Sequence, residues 1–242
     1  MELRMLLAEK TIGIRPMYGD IARMCEGYAL TEDLPNQPDI AIEISPADIR
    51  REREHTEKMY GYPRFSDGYL ETAAVLRAVA EAMPAYDTFL MHGSVIASGG
   101  KGYMICAPSG VGKTTRTKLW LDCVPGSFVV NGDKPLLRVG EDGVTAYGTP
   151  WCGKEGWNRN TGVPLAAIYL LERGENDVRE IGMAEALPTL LRQTYRAASA
   201  ETRRKTLRLI EGLAGKVRLF RFTSTPDEAA VRMALRAAGG DA

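Results

Sequence analysis

A short apolar stretch, Tyr103-Met104-Ile105-Cys106, runs into Ala107-Pro108-Ser109-Gly110-Val111-Gly112-Lys113-Thr114-Thr115, and Arg116 to Leu121 follow with a helical pattern. A strand, a glycine-rich loop and a helix start, in that order, call for an α/β fold in which the loop meets a helix N-terminus. Such a loop is a phosphate cradle. Its glycines let backbone N–H groups turn inward, the helix dipole favours negative charge, and Lys113 reaches the outer phosphates. Ser109, Gly110, Val111, Gly112, Lys113, Thr114 and Thr115 are the expected phosphate-binding residues, with the Thr114 hydroxyl offered to Mg²⁺. The position six before Lys113, usually glycine in loops of this Walker A kind, is Ala107. From average residue usage, Gly-x-Gly-Lys-[Ser/Thr] arises by accident in roughly one chain in a hundred of this length. The plain alternative is a glycine turn beside a surface lysine.

The pattern around the loop is mixed α/β. Leu3 to Leu7, Thr11 to Arg15 and Asp39 to Ile44 read as short strands, with a polar stretch from Thr31 to Pro38 between the last two. Ser45 is placed to cap a charged helix from Pro46 towards Met59, and Ser66 or Asp67 to cap another from Leu70 to Met83. Phe89 to Ala97 and Lys101 to Cys106 flank Ser98-Gly99-Gly100, a hairpin turn signal. The loop therefore leaves a strand entered through a hairpin. Phe128 to Val130, the hairpin pair Leu136 to Val139 and Val144 to Tyr147, the run Leu165 to Leu171, and Val217 to Phe222 read as further strands. Helical patterns cover Ala184 to Arg196 and Ala200 to Leu213, and Pro226 is expected to open a last helix.

Composition removes several classes of function. Lys and Arg total 31 in the 242 residues, as do Asp and Glu, so no global field draws the protein to nucleic acid or to an anionic membrane. No apolar run is long enough to span a bilayer. Met1-Glu2-Leu3-Arg4 lacks the form of a secretion signal, and the four scattered cysteines (Cys25, Cys106, Cys123, Cys152) suit buried thiols in a reducing cytoplasm better than a zinc site or disulfides. Arg50 to His55 alternates in sign and suits a solvated helix face, with His55 in water. Arg203-Arg204-Lys205 lacks the interleaved aromatics of a nucleic-acid platform.

Asp133 ends the strand that follows the loop helix, in Asn131-Gly132-Asp133. A carboxylate there reaches the loop's crevice, where it would meet Mg²⁺ through water or accept the proton of an attacking hydroxyl. The other reading is a turn aspartate satisfying local amides. Gly148 to Asn160, with Lys154, Glu155 and Arg159 among glycines and two tryptophans, is a candidate flap. In that reading Lys154 or Arg159 neutralises the transferred phosphoryl and Glu155 joins Asp133 and Thr114 at the metal. In the alternative, Trp151 and Trp157 anchor an ordinary surface loop.

His92-Gly93, a glycine turn, an apolar strand, Ser109 to Thr114, and Val129-Val130-Asn131-Gly132-Asp133 resemble, in order and spacing, the catalytic domain of bacterial HPr kinase/phosphorylase. That family groups with the phosphoenolpyruvate carboxykinase-like kinases. The resemblance is strong from about Phe89 to Leu137. Beyond it, Gly148-Thr149-Pro150-Trp151, Pro164 to Ile168 and the Val217 to Asp227 segment resemble a broader HPr-kinase-like group. It implies an α/β fold with a mixed sheet and the phosphate loop after a β-hairpin. One HPr-kinase-like domain would then cover residues 1–242, as an N-terminal elaboration (1–68) and a nucleotide-binding core (69–242). It implies ATP and Mg²⁺, catalytic roles for Asp133 (general base), His92 (beside the transferring phosphate) and Lys113, and a hydroxyl acceptor. The family's first aspartate of a pair is Gly132 here, and its glycine-rich signature for the protein substrate has no clear counterpart.

The expectation is a cytoplasmic ATP-dependent kinase that phosphorylates a hydroxyl on a peptide, protein or small metabolite. The alternative is an ATP-binding regulatory module that hydrolyses slowly or not at all. Carboxykinase lyase chemistry is disfavoured, because true carboxykinases are much longer. Neither a nucleic acid nor a membrane is expected as partner, and a homo-oligomer stays open.

Overall fold

The computed structural model describes residues 2–30, 37–62 and 64–240. Most of the polar Thr31 to Pro38 stretch therefore lies outside the described residues. Two compact units divide the chain, Met1–Ala82 and Met83–Ala242. Among the described residues no helix is long and apolar enough to cross a membrane.

In the first unit, Leu3–Leu7 (β1) and Lys10–Arg15 (β2) form an antiparallel pair, and Ile40–Glu43 (β3) adds to β2 in parallel. Three helices accompany them: Asp20–Met24 (α1), Pro46–Tyr60 (α2) and Asp67–Ala82 (α3). The start of α2 follows its sequence signal. Ser45 Oγ accepts from the Asp48 amide at 3.3 Å, the Asp48 carboxylate accepts from the Ser45 amide at 3.0 Å, and Pro46 occupies the first turn. His55 is exposed, as its alternating neighbours predict. Glu52 departs from that solvated face. It is buried, and Arg77 of α3 donates to its Oε2 at 2.9 Å, because a buried carboxylate needs a cation.

The second unit holds a curled mixed sheet with helices on both faces. Its strands are Thr88–Leu90 (β4), Ser94–Ser98 (β5), Lys101–Cys106 (β6), Phe128–Asn131 (β7), Leu136–Val139 (β8), Val144–Tyr147 (β9), Gly162–Arg173 (β10), Asp177–Glu180 (β11) and Arg218–Ser224 (β12). Its helices are Lys113–Cys123 (α4), Met183–Gln193 (α5), Ala200–Glu211 (α6) and Glu228–Ala237 (α7). The strand order is β4-β8-β9-β10-β6-β5-β7, with β12 also on β10 and β11 on β12. The twelve-residue β10 makes the curl. Gly162 to Pro164 pair antiparallel with β9, whereas from Leu165 onward the strand runs parallel to β6, and from Ala167 parallel to β12. A register shift between Leu165 and Ala167 turns the alternation over. Leu165 and Ile168 therefore share a core with Leu190 of α5 and Ile210 of α6. Ala167, Tyr169 and Leu171 point the other way, against Trp120 of α4 and Val231 and Ala234 of α7.

Two sequence expectations change, and one strand appears where the sequence pattern predicts none. The apolar run Phe89 to Ala97 is two strands, since Met91, His92 and Gly93 lie between β4 and β5. The strand β11 is a polar edge strand whose alternation carries no core signal. The last helix is capped by Asp227, which accepts from the Ala230 amide at 2.9 Å, so Pro226 precedes the cap instead of opening the helix.

Candidate phosphate-binding site

Topology assembles the site. The hairpin puts β5 antiparallel to β6, and β7 pairs antiparallel with β5, so β6 and β7 are parallel and α4 connects them across β5. The ends of β6 and β7 and the start of β5 therefore lie on one side of the sheet. That side carries the phosphate loop, Asn131-Gly132-Asp133 and His92-Gly93. Helix α4 is fastened there by Thr117, whose hydroxyl donates to Ser94 Oγ at 3.0 Å.

Gly110 (φ 81°) and Gly112 (φ 111°) both occupy the left-handed region that a side chain disfavours. Positive φ at both glycines suits the tight backbone turn that an anion-binding loop needs, with the Val111 amide itself bonded to the Pro108 carbonyl at 3.4 Å. The N-terminus of α4 has no side-chain cap, which leaves its first amides for a ligand. Ser109 and Thr115 are exposed, and Thr114 is half-buried beside Lys113. Val111 packs against the core cluster around Trp120. Arg173, at the end of β10, donates to the Gly110 carbonyl and to the Val111 carbonyl at 3.4 Å, holding the outer side of the loop. Arg116, in the first turn of α4, is turned away from solvent. It is buried and donates to the Ser224 hydroxyl at 3.1 Å.

Ala107 is fully buried with ordinary backbone, among Ile105, Trp120 and the other residues of that cluster. Glycine is not needed there, and the methyl fills core. We expect Ala107→Gly to restore the common motif yet cost about 1–2 kcal/mol, from one lost buried methyl and a freer unfolded chain. Chemical denaturation would measure that loss, and ATP titration should find no gain in affinity.

His92, Lys113 and Asp133 converge. Lys113 Nζ lies 2.7 Å from His92 Nε2 and 3.6 Å from Asp133 Oδ1, and His92 Nε2 lies 3.0 Å from the same carboxylate oxygen. Lys134 Nζ takes the other oxygen at 3.0 Å. Burial opposes charge on Asp133, but the hydrogen bond from His92 and the ammonium of Lys134 outweigh it and hold the carboxyl well below the usual range. For Lys113 the balance goes the other way. Burial lowers its pKa although Asp133 pulls it up. Asn131, itself fully buried, sets the turn. Its Oδ1 accepts from the amides of Asp133 (2.9 Å) and Lys134 (2.7 Å), and its Nδ2 donates to the Thr149 carbonyl at 2.9 Å.

The 148–160 segment is strapped along β7. The Gly132 amide donates to the Trp157 carbonyl at 2.9 Å, and the Arg159 amide donates to the Val130 carbonyl at 3.0 Å. Trp151 is buried. Lys154, expected near the transferred phosphoryl, is not brought to the cluster. Its side chain is 89 % exposed and its ammonium is 3.9 Å from Glu155. Arg159 lies over the Phe128 ring, 4.2 Å from its centre, near the opposite end of β7. Glu155 borders Asp133 only across Gly153, where an added Cβ would be 3.4 Å from Asp133 Cβ and 3.8 Å from Glu155 Oε2. Among the described residues no group of three or more His, Cys, Asp or Glu is arranged for a metal. The donor set of Thr114 and one carboxylate fits a magnesium ion that keeps its waters and arrives on phosphate, as that ion usually does.

The strap also explains Gly132. A Cβ there would sit 2.7 Å from the Cys152 carbonyl oxygen. Gly132→Asp, which restores the acidic pair of the resembling family, is expected to destabilise by about 1–3 kcal/mol through this clash. Thermal unfolding checks it, and an unchanged Tm would mean that the strap yields.

Lys134, Asn131, Gln193 and Arg173 were not singled out from sequence. Lys134 was findable as the next residue after Asp133. Gln193 was not, since 101 residues separate it from His92, to whose Nδ1 its Oε1 lies at 2.9 Å.

No family model matches the sequence, and no curated protein matches it. Among solved structures, the chain is similar to the Hpr(Ser) kinase/phosphatase from Coxiella burnetii at 11% sequence identity and a TM-score of 0.30. That match covers 50% of this chain and 93% of the other. A likeness so slight says nothing of activity, which has to be argued from the side chains.

Proposed function

We propose that this chain is an ATP-dependent phosphotransferase that moves the γ-phosphoryl group of ATP to a hydroxyl on a peptide, a protein or a small metabolite. The observation that carries this reading is the meeting of Lys113 Nζ, His92 Nε2 and Asp133 Oδ1 within 3.6 Å beside a two-glycine loop. The loop and the α4 N-terminus would take the phosphates, and Lys113 would leave its present partners for the outer ones. Thr114, with Asp133 through water, would hold the magnesium, which supplies charge neutralisation between the phosphates when bound.

Asp133 stays ionised at neutral pH and would align the acceptor hydroxyl by accepting its hydrogen bond. In a loose phosphoryl-transfer transition state the hydroxyl loses little of its proton early, so alignment matters more than base strength. Arg173 would hold the loop from outside.

The test is calorimetric titration with ATP and Mg²⁺, followed by acceptor-dependent ADP formation against peptide and metabolite panels. Binding without any acceptor turnover would favour a regulatory module. No binding would end both readings.

A further inference from the structure

We propose that the cleft between the end of α5 and α6 docks a polypeptide segment with an apolar side chain between carboxylates, and that this segment belongs to the phosphate acceptor. The second half rests on the phosphotransfer reading and narrows its acceptor to a peptide or protein. Helix α5 ends at Gln193 and α6 begins at Ala200, and the non-helical residues between them border a cleft of about 330 Å³. Leu191, Leu207 and Ile210 give it an apolar lining, and Arg196 and Arg203 bring cations to the same lining. Ile210 is buried, but Leu191 and Leu207 stay 45% and 37% exposed. Exposed leucines scattered singly mean little, whereas two that line one concavity mark a place for a partner's side chain.

Charge names the chemistry of that partner. The chain is neutral overall, yet residues 191–208 carry Arg192, Arg196, Arg203, Arg204, Lys205 and Arg208 against one acid, Glu201. Lys205 already takes Glu201 at 3.2 Å. Arg192 donates to the Thr189 hydroxyl at 2.8 Å and Arg203 to the Ala197 carbonyl at 3.0 Å, neutral partners that leave both charges uncompensated. A field of that sign draws carboxylates and repels basic segments. The leucines favour a peptide over a nucleic acid, whose phosphates call for cations alone. The cleft also borders the reacting groups. Gln193, between Leu191 and Thr194 of the lining, accepts from the His92 amide through its carbonyl at 2.7 Å. Thr194 pairs with Met91, and the Tyr195 amide donates to the Leu90 carbonyl at 3.1 Å. One strand spacing, about 5 Å, thus separates this wall from the chain entering His92, and an extended acceptor advances about 3.3 Å per residue. A segment anchored in the cleft needs only a few further residues to bring a hydroxyl to Asp133.

Fluorescence anisotropy tests the docking without turnover. The probes are short labelled peptides: one with a central leucine between glutamates, a second with lysines for the glutamates, and a third with serine for the leucine. Wild type is expected to bind the first at least about tenfold tighter than either of the others. Leu207→Gln should weaken that binding about tenfold, and Arg196→Glu should weaken it while admitting the lysine peptide. Both side chains are exposed, and the Kd for ATP should stay within about twofold in both variants. With a serine added to the glutamate peptide, Leu207→Gln should raise KM about tenfold and leave kcat within about twofold. Peptides that bind alike or not at all overturn the proposal. So does an oligonucleotide of equal charge that binds tighter than the glutamate peptide, or a wild-type dimer that Leu207→Gln dissolves in sedimentation. If the glutamate peptide binds with the expected pattern but no added serine is ever phosphorylated, the docking site stands and the phosphotransfer reading falls.

Discussion

Asp133→Asn is expected to lower acceptor phosphorylation about a thousandfold while ATP and Mg²⁺ still bind with a Kd within a few fold of wild type. Asparagine matches the carboxylate in size and still offers an oxygen to Lys134, so the turn held by Asn131 should persist. The charge that orients a hydroxyl is gone. Positioned groups of this kind contribute about 100- to 10,000-fold, and the estimate takes the middle of that range. The pH dependence separates this role from a structural one. The folded state depresses the carboxyl's pKa, with burial opposing and His92 and Lys134 prevailing. Ionised Asp133 therefore stabilises the fold at every pH above the ordinary carboxylate value of about 4, and that contribution is lost as pH falls below it towards the depressed folded value. Urea unfolding at pH 7 and pH 3 should show wild type losing more stability than the variant does. Activity should have no acid limb from Asp133 near neutrality. A variant retaining a tenth or more of wild-type turnover removes Asp133 from the chemistry.

The legible parts of the molecule were those specified within a few residues. Ser45, Pro46 and Asp48 announce the start of α2 because a capping box is made by residues three apart. Gly99-Gly100 announces the β5–β6 hairpin, and Gly110 and Gly112 announce the loop, because the backbone there needs positive φ. What stayed hidden was set at a distance. Nothing local breaks the apolar run at Met91-His92-Gly93. The break is made by Gln193 and Thr194, which come up beside it from the end of α5. Glu52 looks solvated until Arg77 arrives from α3. Gly132 looks like a missing acidic residue until the strap from Cys152 to Trp157 lies over it. Lys154 and Arg159 have the right chemistry for a phosphate, but the Lys154 side chain extends into solvent and that of Arg159 lies over Phe128.

Lys113→Met is the second large effect, and its sign on stability is opposite to what a deleted ion pair suggests. The side chain of Lys113 is 12% exposed, and burial lowers its pKa more than Asp133 raises it. A lysine whose pKa is depressed by folding costs stability while protonated. The cost is present at neutral pH and is relieved only as pH rises towards the ordinary value of about 10.4. Methionine removes the charge and keeps the volume, and Asp133 retains Lys134 and His92 as partners. The variant should therefore match or exceed the wild-type Tm without ligand. Nucleotide binding should suffer, because a buried ammonium on phosphate is worth about 3 kcal/mol, or roughly 100-fold in Kd. At ATP about a hundred times the wild-type Kd, ligand should add about 2.7 kcal/mol of stability to wild type and about 0.4 kcal/mol to the variant. Thermal shift with and without ATP and Mg²⁺ reads both numbers. A bare protein that melts well below wild type, yet shows the full nucleotide shift, would mean that Lys113 serves the fold and the phosphate sits elsewhere.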